Sequence, residues 1–357
     1  MHQQPHTPKA YATFAIALAW GIAACARTTP TDAELAVETA VEADGQPSGS
    51  LVVYSGRSQS LVDPVIQLFA ETSGIEVQVR YGSTAELAAT ILEEGGRSPA
   101  DIFFAQDPGG LGAVADAGLL APLPEEILSR VDSRFASPDG LWVGISGRAR
   151  VIAYNTEGVD PAELPVGLEG FTDPSWKGRI GLPPTNSSFQ TMVTGLRQVW
   201  GEAATRDWLA SILANEPVFY ENNTATVAAV GAGEVEVGFV NHYYLYRFLA
   251  EEGESFPVRN YFLPDGGAGS LVMVAGAGHL SSGANADNAL AFLEFMLSPV
   301  AQQYFAGSTY EYPLIEGVNP SPGLTPLSEL NAIHIPLGDL ADLQGTVALL
   351  QEVGYLP

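Results

Sequence analysis

Between Leu51 and Phe104 the apolar residues switch back and forth between two spacings, and this limits the fold more than any other feature of the chain. Leu51-Val52-Val53-Tyr54 is a short apolar run stopped by Ser55-Gly56, which reads as a strand and its turn. Leu61, Val65, Leu68 and Phe69 then recur at helical spacing up to Gly74. Ile75, Val77, Val79 and Tyr81 alternate as a second strand. Ser83-Thr84-Ala85-Glu86 has the form of a capping box and opens a second helix, which Gly95-Gly96 ends. Ile102-Phe103-Phe104 is a third strand. The order strand, helix, strand, helix, strand implies an α/β fold with a parallel sheet and right-handed crossovers. In open sheets of this kind ligands sit beyond the carboxyl ends of the strands. The loops Ser55–Gln59, Tyr81–Ser83 and Ala105–Asp107 are therefore the first places to look for function.

The pattern continues through a second half. Trp142 to Tyr154 (WVGISGRARVIAY) alternates as a strand leading out of the first half, and Trp176 to Leu182 gives another. Pro183, Pro184 and the small polar residues Thr185-Asn186-Ser187-Ser188 predict a helix N-terminus with exposed backbone amides. A helix from Phe189 to Leu213, the loop Tyr220–Thr224 and a short helix follow. Val235-Glu236-Val237-Gly238-Phe239-Val240 is a further strand, Leu271 to Ala275 a strand returning to the first half, and Ala286 to Phe305 is helical. Two α/β lobes joined by more than one crossing strand describe a clamshell, which closes on small ligands by hinge motion.

The start of the chain is different. Residues 1–24 carry one charged side chain, Lys9, and Ala10 to Ala24 is an apolar stretch of signal-peptide length, short for a membrane span. Ile22-Ala23-Ala24-Cys25 resembles the bacterial lipoprotein box, with Cys25 as the lipidated residue. Cys25 is the only cysteine, so an intramolecular disulfide and a multi-thiolate metal site are excluded. Residues 25–50, the lipidated cysteine and an Ala/Thr/Glu/Pro/Ser-rich run, read as a flexible tether. The expectation is an exported protein, lipid-anchored on the periplasmic or extracellular face of a membrane. A net charge of −26 speaks against nucleic acid as a partner and permits a cationic ligand.

The segment VNHYYLYRFL, Val240 to Leu249, places an asparagine, a histidine and three tyrosines in ten positions. Adjacent side chains on a strand point to opposite faces, so a strand would separate Tyr243 from Tyr244. A strand-to-helix turn would bring both phenols to one partner. From the pattern alone, Tyr243, Tyr244 and Tyr246 read first as lobe-packing aromatics with hydroxyls at the surface. His2, His6, His242, His279 and His334 form no metal-ligand spacing. No Gly-x-Ser-x-Gly elbow and no triad order occurs, which argues against an enzyme.

VVYSGRSQSL, SPADIFFAQD, GISGRARVIAY, DPSWKGRIG, NHYYLY and STYEYPL, spread from residue 52 to near the C-terminus, together resemble the bacterial iron(III)-binding proteins of ABC importers. These belong to the type II periplasmic-binding superfamily, with a transferrin-like lobe. The resemblance implies a two-lobed clamshell with 51–147 plus about 271–318 in the N-terminal lobe and about 148–270 plus 319–357 in the C-terminal lobe. It implies Tyr243 and Tyr244 as phenolate ligands to Fe(III), with Asn241 near a bound anion and Arg148 gripping it. It also implies delivery to an ABC permease and its ATPase by a monomeric receptor. The chain departs from the family pattern at three places. Arg57-Ser58-Gln59 stands where some members carry a histidine or tyrosine ligand, Gln106 where some carry a glutamate, and Phe189 where others carry a tyrosine. Asp107, Gln106 and Ser58 remain as further ligands or supports beside the metal.

The chemistry fits the implied metal. Fe(III) is a hard cation that takes oxygen donors. Ionising one phenol of pKa ~10 at pH 7 costs roughly 4 kcal/mol, and two roughly 8. A trivalent metal can supply that energy; a divalent ion gains much less from phenolate. Two phenolates leave the ion with residual positive charge, which an anion such as carbonate would offset. Arg148 can grip that anion with a bidentate fork, and Arg57, Ser187, Ser188, Asn223 and Asn241 can donate to it. The alternative is a binding protein of the same fold for an oxyanion, phosphonate, thiamine or polyamine; a secreted hydrolase is more remote.

Overall fold

The computed structural model describes residues 49–333 and 335–357, so the leader, the lipidation expected at Cys25, and His2, His6 and His334 lie outside the described residues. The first half runs β1 (Ser50–Ser55), α1 (Gln59–Ser73), β2 (Glu76–Tyr81), α2 (Thr84–Glu94), β3 (Ile102–Ala105), α3 (Pro108–Asp116) and α4 (Glu125–Leu128). Ser83 caps α2 by accepting from the Glu86 amide, as the capping box requires. β1 pairs in parallel with β2 on one side and β3 on the other. The alternation in β2 is explained by its place at the sheet edge, where its residues are exposed or half-buried.

β4 (Val143–Asn155) leads into β5 (Ile180–Leu182), α5 (Ser187–Trp200), α6 (Glu202–Ala214), β6 (Val218–Phe219), α7 (Asn223–Gly231), β7 (Val237–Asn241), α8 (Tyr243–Glu252) and β8 (Val258–Tyr261). β9 (Val272–His279), α9 (Ala286–Met296), α10 (Pro299–Ser308) and α11 (Leu343–Val353) complete the chain. The sheet order is β2-β1-β3-β9-β4-β7-β5-β6, with β8 also pairing to β4.

Two expectations need correction. The strand expected over 176–182 is confined to Ile180–Leu182, because Trp176 closes a short 3-10 turn begun by Asp173 and Pro174. The single helix expected from Phe189 to Leu213 is two helices. Gly201, at φ +82°, ends α5 and precedes α6, a conformation that L side chains rarely adopt.

β4 joins the two halves. Its residues 143–149 pair with β9 and 150–155 with β7 and β8, all antiparallel, and all thirteen of its residues are buried. One apolar core holds the β1–β3 and β9 residues with α1, α9 and α10. A second holds Ile152, Leu182, Phe189, Trp208 and Phe239, and takes in Leu349, Leu350 and Tyr355 from the C-terminus. The first core also takes in Val227, Val230, Tyr243 and Phe256 from the second half, so both halves share it, and the C-terminal helix packs on the second core. Among the described residues no helix is long and apolar enough to cross a membrane.

Candidate metal centre

The stretch after β7 makes the strand-to-helix turn that the paired phenols require. β7 ends at Asn241, His242 already has helical φ and ψ, and α8 begins at Tyr243. The Tyr243 and Tyr244 rings stack at 4.3 Å between centroids and 28° between planes. Both are buried, and the Tyr243 hydroxyl has no hydrogen-bond partner among the described residues. Burial pushes the Tyr244 phenol well above its ordinary pKa, the neighbouring Tyr243 adds to this, and Arg57 and Arg148 oppose it.

The crossing strand supplies cations. Side chains two apart on a strand share a face, and Ser146, Arg148 and Arg150 do so in β4. Arg148 donates to Ser188 Oγ at 3.5 Å and to the Val274 carbonyl at 3.2 Å. Arg150 donates to Asn241 Oδ1 at 3.0 Å and to the Phe239 carbonyl at 2.7 Å. Burial holds the Arg148 guanidinium below its usual range, with neighbouring Arg57 adding to the effect. Burial, then Arg148, brings Arg150 down to about 9. Arg57, in the loop after β1, pairs with buried Glu311 at 2.5 Å. Burial disfavours its charge, but Glu311 and both phenols outweigh that and hold its pKa above the ordinary value. Glu311 reaches Arg57 because the Gly147 and Tyr312 backbones exchange hydrogen bonds at 2.8 and 2.9 Å. A Cβ on Gly147 would meet the Tyr312 Cβ at 3.0 Å, so only glycine permits that approach without adjustment.

An amide and hydroxyl network links these groups. Gln106, after β3, donates to Ser187 Oγ and Ser188 Oγ, each at 3.1 Å, so a first-half loop is tied to the start of α5. Asn241 Nδ2 donates to Ser188 Oγ at 3.0 Å, and Asn223 Oδ1 accepts from the Asn241 amide at 3.1 Å. Asn223 Nδ2 donates to the α5 cap residue Asn186 at 3.0 Å. α5, α7 and α8 therefore begin at one place, and their positive ends favour anionic charge there.

Hydrogen-bond counting gives the cluster its chemical character. The Asn241, Asn223 and Ser188 side-chain oxygens are already occupied as acceptors. The spare capacity is mostly donors, namely Arg57 Nε and Nη1, Arg148 Nε, Arg150 Nε and the Tyr243 hydroxyl, with Asp107 Oδ2 and Asn260 Oδ1 as spare acceptors, all buried without partners among the described residues. Ser188 Oγ accepts from Gln106 at 3.1 Å and Asn241 at 3.0 Å, which fills its two lone pairs and leaves its own proton to donate. Buried donors without acceptors are costly, and an oxyanion would satisfy them.

Of the residues expected from sequence, the fold gathers Tyr243, Tyr244, Arg57, Arg148, Gln106, Ser187, Ser188, Asn223 and Asn241 through these contacts. Asp107 is buried after β3. Ser58 is exposed at the start of α1 and joins none of these contacts. Phe189 packs in the second core against Tyr355. His242 is buried, with both nitrogens engaged. Nδ1 accepts from the Ala149 amide at 3.1 Å and Nε2 meets the Tyr310 carbonyl at 2.8 Å, which leaves no lone pair for a metal. His279 meets the Asp101 carbonyl away from the cluster. Among the described residues no three His, Cys, Asp or Glu side chains group as a metal site, so any metal here depends on the phenols. Arg150 and Glu311 escaped the sequence reading. For Arg150 the signal was present, since it stands two positions after Arg148 in an alternating strand.

A family model for bacterial extracellular solute-binding proteins matches residues 97–333. The Fe(3+)-binding periplasmic protein of Serratia marcescens is 32% identical over 310 residues, covering 86% of this chain and 90% of its own. Iron uptake protein A2 of Synechocystis sp. is 35% identical over 319 residues, again 86% and 90%. Iron-bound HitA from Pseudomonas aeruginosa superposes with a TM-score of 0.82 at 35% identity, over 85% of this chain and 99% of its own. FutA from Trichodesmium, in complex with iron and citrate, gives 0.75 at 30% identity, over 86% of this chain and all of its own, 100%.

Proposed function

The chain belongs to the bacterial extracellular solute-binding proteins, and from that premise we propose that it captures ferric iron in the cleft between its lobes for uptake through an ABC permease. It is a binding protein, as its relatives are, and not an enzyme. Tyr243 and Tyr244 hold the metal as phenolates, and an oxyanion such as carbonate completes the site against Arg148, Arg57, Ser188 and their neighbours. The observation that carries this reading is the stacked, buried phenol pair set in a cluster whose free capacity consists mostly of donors. The phenols need a highly charged cation to ionise, and the donors need an anion. Ferric iron with a bound oxyanion meets both requirements at once.

The charge balance agrees. Arg57, Arg148 and Arg150 face Glu311 and Asp107, all buried, so the protein contributes a small positive excess. Two phenolates and a trivalent ion raise it further, which favours a doubly charged anion. Metal entry releases phenolic protons, so affinity rises with pH.

Titration of the domain with ferric citrate, with and without bicarbonate, tests the reading through visible absorbance. Wild type should develop a phenolate-to-iron band at one equivalent, intensified by bicarbonate. Tyr243→Phe combined with Tyr244→Phe should abolish it with the fold intact. A colourless wild type, or stoichiometric binding by the double variant, defeats the proposal. A second reading, an oxyanion receptor without metal, draws on the same free donors. It predicts tight phosphate or carbonate binding without iron, retained when both phenols are lost because the arginine donors remain.

A further inference from the structure

Three arginines crowd the cluster, and one of them is held differently from the other two. Arg148 and Arg150 donate to neutral oxygens, those of Ser188 and Asn241 and the Val274 and Phe239 carbonyls. Arg57 has an anionic partner: its Nη2 meets Glu311 Oε1 at 2.5 Å, with both side chains fully buried. Glu311 is engaged on its other oxygen as well, where Oε2 accepts from the Ser146 and Thr309 hydroxyls, each at 3.1 Å. Arg57 is not. Its Nε and Nη1 are buried without partners among the described residues. Burial disfavours its charge, while Glu311, Tyr243 and Tyr244 all favour it, so the guanidinium stands in the field of both the carboxylate and the phenols.

Glu311 is delivered by a strained turn. Tyr310, just before it, has φ +58°, where residues other than glycine are uncommon. The turn is fixed from several sides. The Tyr310 carbonyl meets His242 Nε2 at 2.8 Å, and the Tyr310 ring stacks on Tyr246 at 5.4 Å. The Glu311 amide donates to the Phe305 carbonyl at 3.0 Å, and Tyr312 pairs with Gly147. Conformations of this kind persist where the surroundings over-determine them, and they gather at functional sites. Stability is a weak reason for the pair, because a buried ion pair seldom outdoes apolar side chains of similar volume. Electrostatics is a stronger one. Burial, then Arg57, disfavours the charge on Arg148, and Glu311 works against both, so its influence extends past its own partner.

We infer that Glu311 is a positioning residue that sets the charge of the site: it neutralises Arg57, so that this guanidinium offers two buried donors without adding net charge beside the phenols. This deepens the ferric-iron reading and rests on it. Three uncompensated guanidiniums would favour a free oxyanion and repel a trivalent cation. With one of them cancelled, the same donors can hold an anion and still admit the metal. Glu311 thereby decides whether the cluster prefers iron with its anion or the anion alone.

The test is Glu311→Gln in the full chain, which keeps the shape and an oxygen for Arg57 but removes the charge. Two titrations are compared: inorganic phosphate without iron, followed by calorimetry, and ferric iron in competition with citrate, followed by visible absorbance. Phosphate affinity should rise at least about fivefold and ferric affinity should fall at least about tenfold. Opposite signs separate a charge-setting residue from a merely structural one, whose loss would weaken both. Arg57→Gln added to Glu311→Gln removes the pair as a whole and restores the net charge. It should bind iron at least about threefold more tightly than Glu311→Gln alone, and phosphate more weakly. Should Glu311→Gln not fold, the paired variant decides: ferric affinity within about tenfold of wild type supports the inference, and a larger loss overturns it. If Glu311→Gln weakens both ligands, changes neither, or gains nothing from the second substitution, the inference falls and the ferric reading stands. If wild type takes up no iron, both fall together.

Discussion

At the scale of single residues the site depends on protonation. His242 sits between Asn241 and Tyr243, and burial lowers its pKa from the ordinary 6.5 to about 4. In the unfolded chain it gains a proton near pH 6.5, and in the folded protein only near pH 4. Between those values the unfolded state binds the extra proton. The stability tied to neutral His242 is therefore whole above about pH 6.5 and lost as pH falls toward 4, by up to about 3 kcal/mol. Melting temperature measured from pH 7 to pH 4 should drop more steeply for wild type than for His242→Gln, which keeps a neutral side chain throughout. Equal slopes would show that the imidazole is not what the acid acts on.

At the scale of elements, β4 matters most. Arg150 fastens Asn241 and the Phe239 carbonyl, so the strand holds the last residues before the phenols. Arg150→Met should lower ferric affinity in bicarbonate by at least about tenfold with the fold retained; an unchanged titration curve would remove Arg150 from the site. This strand also shows how far sequence reading reaches. The βαβαβ start was legible because strand and helix periods are simple and Gly and Ser mark their ends. The turn that presents Tyr243 and Tyr244 was legible because two adjacent polar aromatics do not suit a strand. Glu311 was not, since its partner Arg57 is far away in sequence and meets it only through the Gly147–Tyr312 pairing. Nor was the break at Gly201, where an isolated glycine in an apolar helical pattern is usually tolerated.

At the scale of the whole molecule, the two halves meet through side chains as well as through shared strands. Gln106 bonds Ser187 and Ser188 across the cleft. Two neutral hydrogen bonds are worth about 1 kcal/mol each, enough to bias an open–closed balance without locking it. Gln106→Ala should therefore give iron-free protein a larger radius of gyration in small-angle X-ray scattering, and saturating iron should restore the wild-type value. Identical scattering from the two iron-free proteins would mean that this bridge contributes nothing to closure. The arginines of β4 have a different standing. They ride on β4, which pairs with β9 along its first stretch and with β7 and β8 along its second, so the strand that carries them is common to both halves. On the proposed reading, an oxyanion seated there would be held by the strand common to both halves, and arriving iron would meet a counter-charge already in place.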